Sequence, residues 1–168
     1  MSSLVRIFLL IIFYISTTLS VSAREPELFV VKNFNFGSLM FLPGSCQMDP
    51  LTGSLTAFSG RFLCTYPINS SNGEYIIKCD PHRIIRIRII TQYDNGNYAV
   101  FTPRVRVKNE IEDVEIYNEV NFVEIDSGDF GQVNIYLGGE LNIIVQEAPN
   151  TRVNFSIENG LEWEIKPL

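Results

Sequence analysis

The sequence predicts an all-β protein with an antiparallel, immunoglobulin-like or fimbrial-like β-sandwich fold. Apolar and polar residues alternate through most of the chain after residue 23, which is typical of strands with one buried and one solvated face. Turn-forming residues separate these runs at intervals of roughly 8–12 residues, as in sandwiches and barrels. No sustained apolar stripe with the helical period follows residue 23, so a helical domain is excluded.

Residues 1–23 are predicted to be a signal peptide. A single charge, Arg6, precedes an apolar run over residues 7–15, and small residues end at Ala23. The run is shorter than the roughly 18–20 residues that span a bilayer, so we expect cleavage and not anchoring. The protein is therefore predicted to be exported to the periplasm, the outer surface or the extracellular space, with no membrane span after cleavage.

The remaining residues, 24–168, are predicted to form one domain. They carry 19 acidic side chains and 12 basic ones (13 less Arg6), a net charge of about −7 (12 − 19). A negative surface repels the phosphates of nucleic acid, so we expect no nucleic-acid partner.

Strands follow one another along this domain. In the clearest of them, Ile85, Ile87 and Ile89 alternate with Arg86 and Arg88, which predicts one buried and one charged face. Gly138-Gly139 is interpreted as the turn of a hairpin. The predicted strands cover residues 30–39, 54–58, 61–65, 74–79, 83–93, 104–108, 114–117, 120–125, 133–137, 141–145, 153–157 and 161–165.

The strand that ends at residue 93 is predicted to pair with the strand that follows it. A three-residue loop, 94–96, with Gly96 in the left-handed conformation would place Ile89 opposite Phe101 and keep the apolar faces in phase. Pro103 cannot donate a hydrogen bond to a ladder, so we expect it at a sheet edge or at a bulge.

Three cysteines follow the signal peptide, Cys46, Cys64 and Cys79. Export to an oxidising compartment favours one disulfide. Cys46 and Cys64 lie beside turn-rich sequence on either side of Gly53, which favours a bridge between them with a stabilisation of about 3 kcal/mol. Cys79 is then a small buried strand residue. A Cys64–Cys79 bridge and an intermolecular or reactive thiol are the alternatives.

No catalytic, metal or cofactor-binding constellation is predicted. His82, the single histidine, follows Cys79 by three residues, and side chains at that spacing in a strand point to opposite faces. We therefore expect an ordinary surface histidine. Residues 126–129 offer carboxylate and carbonyl oxygens of the kind that bind calcium, but a solvated polar turn explains the same residues.

Several short glycine-containing elements occur along the chain in a fixed order. They are Phe36-Gly37, Pro43-Gly44, Asp49-Pro50-Leu51-Thr52-Gly53, Gly73-Glu74-Tyr75-Ile76-Ile77 and Gly138-Gly139-Glu140-Leu141-Asn142. In these elements and their order, the chain resembles domain-of-unknown-function family 4402, which occurs in secreted and outer-membrane-associated bacterial proteins, over about residues 33–166. The resemblance implies a fimbrial-like sandwich and a role as a surface or pilus-like adhesin subunit.

The expected function is that of an exported, non-catalytic protein with a structural or adhesive role at the cell surface. Pilus-like subunits assemble when one subunit donates a strand to the open sheet edge of its neighbour. The candidate donor strand consists of Leu28, Phe29, Val30 and Val31. The alternative interpretation is that this segment forms the first strand of the domain's own sheet. The other expected function is that of a monomeric binding module for a glycan or a protein partner.

Overall fold

The computed structural model describes residues 25–37, 43–59, 69–93, 98–117, 121–144 and 160–167. These residues form two antiparallel sheets that pack together, so the predicted all-β sandwich is confirmed. The predicted signal peptide, Cys64 and the predicted strands 61–65 and 153–157 lie outside the described residues. The strands are β1 (Glu27–Lys32), β2 (Gly44–Met48), β3 (Leu55–Ser59), β4 (Gly73–Lys78), β5 (Ile84–Ile89), β6 (Gln92–Tyr93), β7 (Ala99–Lys108), β8 (Asp113–Tyr117), β9 (Val123–Asp126), β10 (Gln132–Ile143) and β11 (Leu161–Ile165).

The larger sheet is built on the long antiparallel pair β7–β10, in which Leu137 lies opposite Val105. The other edge of β10 is shared between two strands, since β4 pairs with its first half and β2 with its second half. Edge strands β1 and β3 lie outside β4 and β2, while β8 and β6 line the outer edge of β7. The smaller sheet has the order β11–β5–β9.

The predicted hairpin turn at Gly138-Gly139 is wrong, because both glycines lie inside the continuous strand β10. They mark the junction at which β10 changes its partner from β4 to β2. A Cβ on Gly138 would lie 2.3 Å from the carbonyl oxygen of Met48. Glycine inside a strand can mark a close backbone approach as well as a turn, and here it marks the approach.

The predicted pairing of Ile89 with Phe101 is also wrong. Ile89 lies opposite Leu161 of β11 in the smaller sheet, and the chain then crosses to the larger sheet, where Gln92 of β6 lies opposite Phe101. The isoleucines of β5 are buried as expected. They cover the core from the opposing sheet. The apolar residues of β5 and β7 alternate in the same phase, which is compatible with a hairpin and also with two strands that face each other across the core.

Pro103 lies at a local gap in the sheet. The N–H of Ile144 donates to the carbonyl of Tyr98 at 2.8 Å and continues the β7–β10 ladder. Bonding alternates between the two neighbours along a strand, so the nitrogen of Pro103 faces away from β10. On that side, β6 pairs only with residues 100–101 and β8 only with residues 104–108. Within the described residues, Pro103 therefore lies where neither β6 nor β8 pairs with β7, although β7 itself has partners on both sides and is not an edge strand.

The core lies between the inner faces of the two sheets. Phe101 is 1% exposed and its ring contacts two other aromatic rings, stacking on Phe34 at 5.0 Å and meeting Phe36 edge-on at 5.7 Å. Trp163 is partly buried and packs against the core. The buried hydrophobic residues are Phe36, Cys46, Met48, Tyr75, Ile77, Cys79, Ile85, Ile87, Ile89, Ala99, Phe101, Val105, Val107, Ile116, Ile125, Val133, Ile135, Leu137, Leu141, Ile143 and Leu161.

The outer faces of both sheets carry cross-strand ion pairs. Arg88 of β5 contacts Glu162 of β11 at 2.6 Å, and Arg106 of β7 contacts Asp113 of β8 at 2.6 Å. The Arg106 guanidinium and the Lys108 ammonium hold the pKa of the Asp113 carboxyl well below its usual range. Such exposed pairs each contribute little to stability, because water screens their charges. On the sheet faces, these pairs place positive and negative charges side by side.

Candidate functional site

Three turns meet at one end of the sandwich. We call this surface the tip and define it as residues 80–83 between β4 and β5, 109–112 between β7 and β8, and 126–131 between β9 and β10. The side chain of Asn109 shapes the second turn, because its Oδ1 accepts the N–H groups of Ile111 and Glu112 at 2.7 and 2.6 Å. Its Nδ2 donates to the carbonyl of Asp126 in the third turn.

Ser127 joins the first turn to the third. Its side chain is completely buried. The hydroxyl donates to the carbonyl of Asp80 at 3.0 Å and accepts the N–H of Arg83 at 2.9 Å, while its own N–H donates to the Arg83 carbonyl at 2.8 Å. A buried hydroxyl with every bond made holds its neighbours in one geometry. The backbone of these two turns is therefore held in a single arrangement.

Glu110 joins the second turn to the third. Its Oε1 accepts the N–H of Phe130 at 3.2 Å. Hydrogen bonds from its own N–H, and then from those of Phe130 and Asp129, lower the pKa of the Glu110 carboxyl. A lowered pKa means that this contact stabilises the fold above the carboxyl's unfolded-state pKa and is lost as the pH falls through the folded one. The Glu110 contact therefore holds these two turns at pH values above the unfolded-state pKa of the carboxyl and weakens in acid.

His82 adopts a left-handed backbone conformation, with φ 55°, and its N–H donates to the carbonyl of Gly128 at 3.1 Å. Its imidazole lies between two carboxylates, with Nε2 3.1 Å from Asp129 and Nδ1 3.6 Å from Asp126. The expected surface exposure of His82 is observed. Its two acidic neighbours lie more than 40 residues away along the chain, so no spacing rule pointed to them.

Cys79 is a free thiol buried at the base of the tip. Burial raises the pKa of this thiol, although a hydrogen bond with Ser127 opposes the shift. A buried neutral thiol behaves as a small apolar side chain and not as a nucleophile. Cys46 is completely buried in β2, and Cys79 is the free one of the two cysteines within the described ranges. The Cys46–Cys64 bridge stays a prediction.

Two large apolar side chains project from the tip into solvent. Phe130 is 79% exposed and Ile111 is 62% exposed. They lie on two turns that the Glu110 carboxylate holds together. Sequence reasoning noticed the acidic residues here and missed both apolar ones, because Phe130 and Ile111 interrupt no alternating pattern. The available signal was the position of Phe130 beside Gly131 and of Ile111 two residues after Asn109, both outside the predicted strands.

The candidate donor strand forms β1 of its own sheet. Phe29 lies opposite Ile76 of β4, and Val30 opposite Tyr75. The register shifts between Val30 and Lys32, which makes Val31 the extra residue of a β-bulge, 57% exposed. In this structure the segment therefore forms the first strand of its own sheet, at the sheet edge, which is the alternative interpretation.

No group of three or more His, Cys, Asp or Glu residues is placed to hold a metal ion in the ranges that the structure describes. The Asp126 carboxylate at the candidate calcium turn instead accepts the N–H of Gly128 at 2.8 Å. In the same part of the chain, no helix combines the length and apolar character needed to cross a membrane.

Comparisons with known proteins add nothing to the class that the fold defines. The structure defines an all-β sandwich whose two sheets meet at a tip of three bonded turns. No family model, no curated protein and no solved structure matches the chain. The resemblance to family 4402 stays an interpretation of the sequence.

Proposed function

We propose that the protein is an exported, non-catalytic β-sandwich with an adhesive role at the cell surface, and that it binds its partner through the tip. The observation that carries the proposal is Phe130, a large apolar side chain 79% exposed on a turn whose backbone is held by side-chain hydrogen bonds. Exposed apolar side chains on a fixed scaffold are typical of binding surfaces. A fixed turn also loses little conformational entropy on binding.

The chemistry of the tip supports binding over catalysis. The buried Cys79 thiol has a raised pKa, and its neighbour Ser127 donates its hydroxyl proton to a backbone carbonyl. The His82 imidazole lies against Asp126 and Asp129. A nucleophile needs a base within hydrogen-bonding reach. The Ser127 hydroxyl and the His82 imidazole instead make contacts that join the turns of the tip to one another. The proposal includes signal cleavage after Ala23 and the Cys46–Cys64 disulfide.

The test compares binding by three forms of residues 24–168, folded under oxidising conditions: the wild type, Phe130→Ser and Phe58→Ser. Phe58 is the matched control, because it is also exposed, 74%, but lies in β3 outside the tip. Each form is applied to a printed glycan array and to a library of random 12-residue peptides. We expect Phe130→Ser to weaken retention by about tenfold, the effect of losing roughly 1.4 kcal/mol of apolar contact.

Phe58→Ser is expected to leave retention unchanged, and both variants should keep the thermal unfolding midpoint of the wild type. Equal retention of the Phe130→Ser form and the wild type would overturn the assignment of the tip. A wild type that retains no glycan or peptide probe would count against a binding role altogether.

A second candidate function, that of an assembling subunit, is favoured by the position of β1. This strand pairs only with β4 among the described residues, and Val30 and Val31 are both more than half exposed. An edge strand held by one ladder can be exchanged between chains. Two features oppose exchange: the bulge at Val31, and the charges of Glu27 and Lys32 at the ends of the strand, since bulges and charges protect edges.

We expect the native mass of residues 24–168 to be that of a monomer, because the β1 edge is protected in this way. The comparison is a form that lacks residues 24–33, with circular dichroism to show that its sheets still form. Polymers from the longer form that disappear on truncation would reverse the order of the two candidate functions.

A further inference from the structure

We infer that the partner of the tip is a cationic protein segment that carries an apolar side chain, a stretch of Lys or Arg residues interleaved with Leu, Ile or an aromatic residue. The inference rests on the proposed function and adds the chemistry of the partner to it. It follows from the charge of the tip, from the way charge is balanced elsewhere on the protein, and from the exposed apolar pair Phe130 and Ile111.

The tip is acidic. Within its three turns, five carboxylates stand against Arg83, which gives a net charge of −4 (1 − 5) when His82 is neutral. Asp129, beside Phe130, has a side chain that is 73% exposed. Complementary charge steers a partner and selects it over competitors. The carboxylates are Asp80, Glu110, Glu112, Asp126 and Asp129.

The charge of the tip is not balanced as it is on the rest of the molecule. On the sheet faces, each ion pair within the described ranges joins a carboxylate to Lys or Arg, as in Arg88–Glu162 and Arg106–Asp113. The ion pairs of the tip instead use His82, which is charged only when protonated. The negative charge that these pairs leave uncompensated is therefore concentrated where Phe130 and Ile111 are exposed.

The apolar pair requires more of the partner than positive charge. Phe130 and Ile111 present apolar surface from two turns that Glu110 fixes together, and their desolvation needs an apolar side chain on the other side. The Phe130 ring can also accept a cation over its face. An anionic bilayer would supply apolar contact but would be repelled by the carboxylates. A cationic segment with an apolar residue satisfies both requirements.

The test measures the binding of three fluorescent 12-residue peptides to residues 24–168 by anisotropy. One peptide alternates Lys with Leu, one alternates Glu with Leu, and one alternates Lys with Ser. We expect the Lys–Leu peptide to bind at least about tenfold more tightly than either of the others. Its affinity should fall when the salt concentration rises from about 0.05 to 0.3 M, because screening shortens the reach of the carboxylates.

Asp129→Asn is expected to weaken binding of the Lys–Leu peptide by about threefold or more, the effect of one partly exposed charge. Glu140→Gln, which makes the same charge change on β10 outside the tip, should leave it unchanged. Equal binding of the Lys–Leu and Glu–Leu peptides, both lost in Phe130→Ser, would overturn the cationic partner and keep the tip as the binding surface. Retention of neutral glycans by the wild type, with no peptide bound, would also overturn the cationic partner.

Binding of the Lys–Leu peptide that Phe130→Ser leaves intact would instead contradict the proposed function, because the peptide would then bind elsewhere. The Glu140→Gln and Phe58→Ser forms identify non-specific binding, since a general charge or hydrophobic effect would change their affinities as much as those of the tip variants.

Discussion

Phe101→Ala is expected to lower the free energy of unfolding by about 3–5 kcal/mol, the range for a buried phenylalanine cut back to alanine. Phe101 is 1% exposed and is the third residue of β7. Its ring stacks on Phe34 and meets Phe36 edge-on. The substitution therefore leaves a cavity and also breaks two aromatic contacts, each worth about 0.5–1.5 kcal/mol. Urea unfolding followed by tryptophan fluorescence measures the effect.

The matched control is Phe58→Ala, the same change at a side chain that is 74% exposed in β3. We expect it to alter the unfolding free energy by about 0.5 kcal/mol or less. A Phe101→Ala midpoint within the error of the control would mean that the aromatic cluster is not part of the cooperative core. Most domains are stable by only about 5–15 kcal/mol, so Phe101→Ala should also raise the fraction unfolded at 37 °C.

Gly139→Ala is expected to destabilise the protein by about 3 kcal/mol, from backbone strain and overpacking together. Gly139 has a φ of +140°, which L side chains rarely adopt. A Cβ at this position would lie 2.4 Å from the carbonyl oxygen of Thr102 and 2.8 Å from the Phe101 ring. Because β10 pairs with β7 here and passes from β4 to β2, relief of the clash would disturb several ladders at once.

Glu140→Ala, one residue further along β10, is the control. Its side chain is half-buried on the outer face, opposite Thr102 and Gln47, so we expect a change below about 1 kcal/mol. If Gly139→Ala were no more destabilising than Glu140→Ala in thermal unfolding, β10 would have to bend freely at this point. A rigid junction of strands would then be excluded.

The buried and solvated faces of strands could be predicted from the sequence, because the two-residue period of a strand can be recognised within each segment alone. Ile85 and Ile87 are buried and Arg86 and Arg88 face outward, as alternation predicts. The period cannot say which strand lies alongside. β5 and β7 agree in phase whether they form a hairpin or face each other across the core, and here they face each other.

Short elements between turn signals were harder to predict. No strand was predicted over β2, since Pro43-Gly44 and Asp49-Pro50 enclose only a few residues. The buried side chains of Cys46 and Met48 and the register with β10 make it a core strand. One of its two ladders is with β3, nearby in the sequence, but the other is with β10, more than 90 residues away along the chain, which local propensity does not predict.

Hydrophobic alternation within single segments was enough to predict the class of fold and the buried and solvated faces of most strands. The sequence also predicted a domain without a nucleophile–base motif and with an acidic surface. The pairing of strands, the continuous β10 and the tip could be seen only in the folded chain. Those features depend on contacts between distant segments, such as Glu110 with Phe130 and Ser127 with Asp80, and only folding brings these segments together.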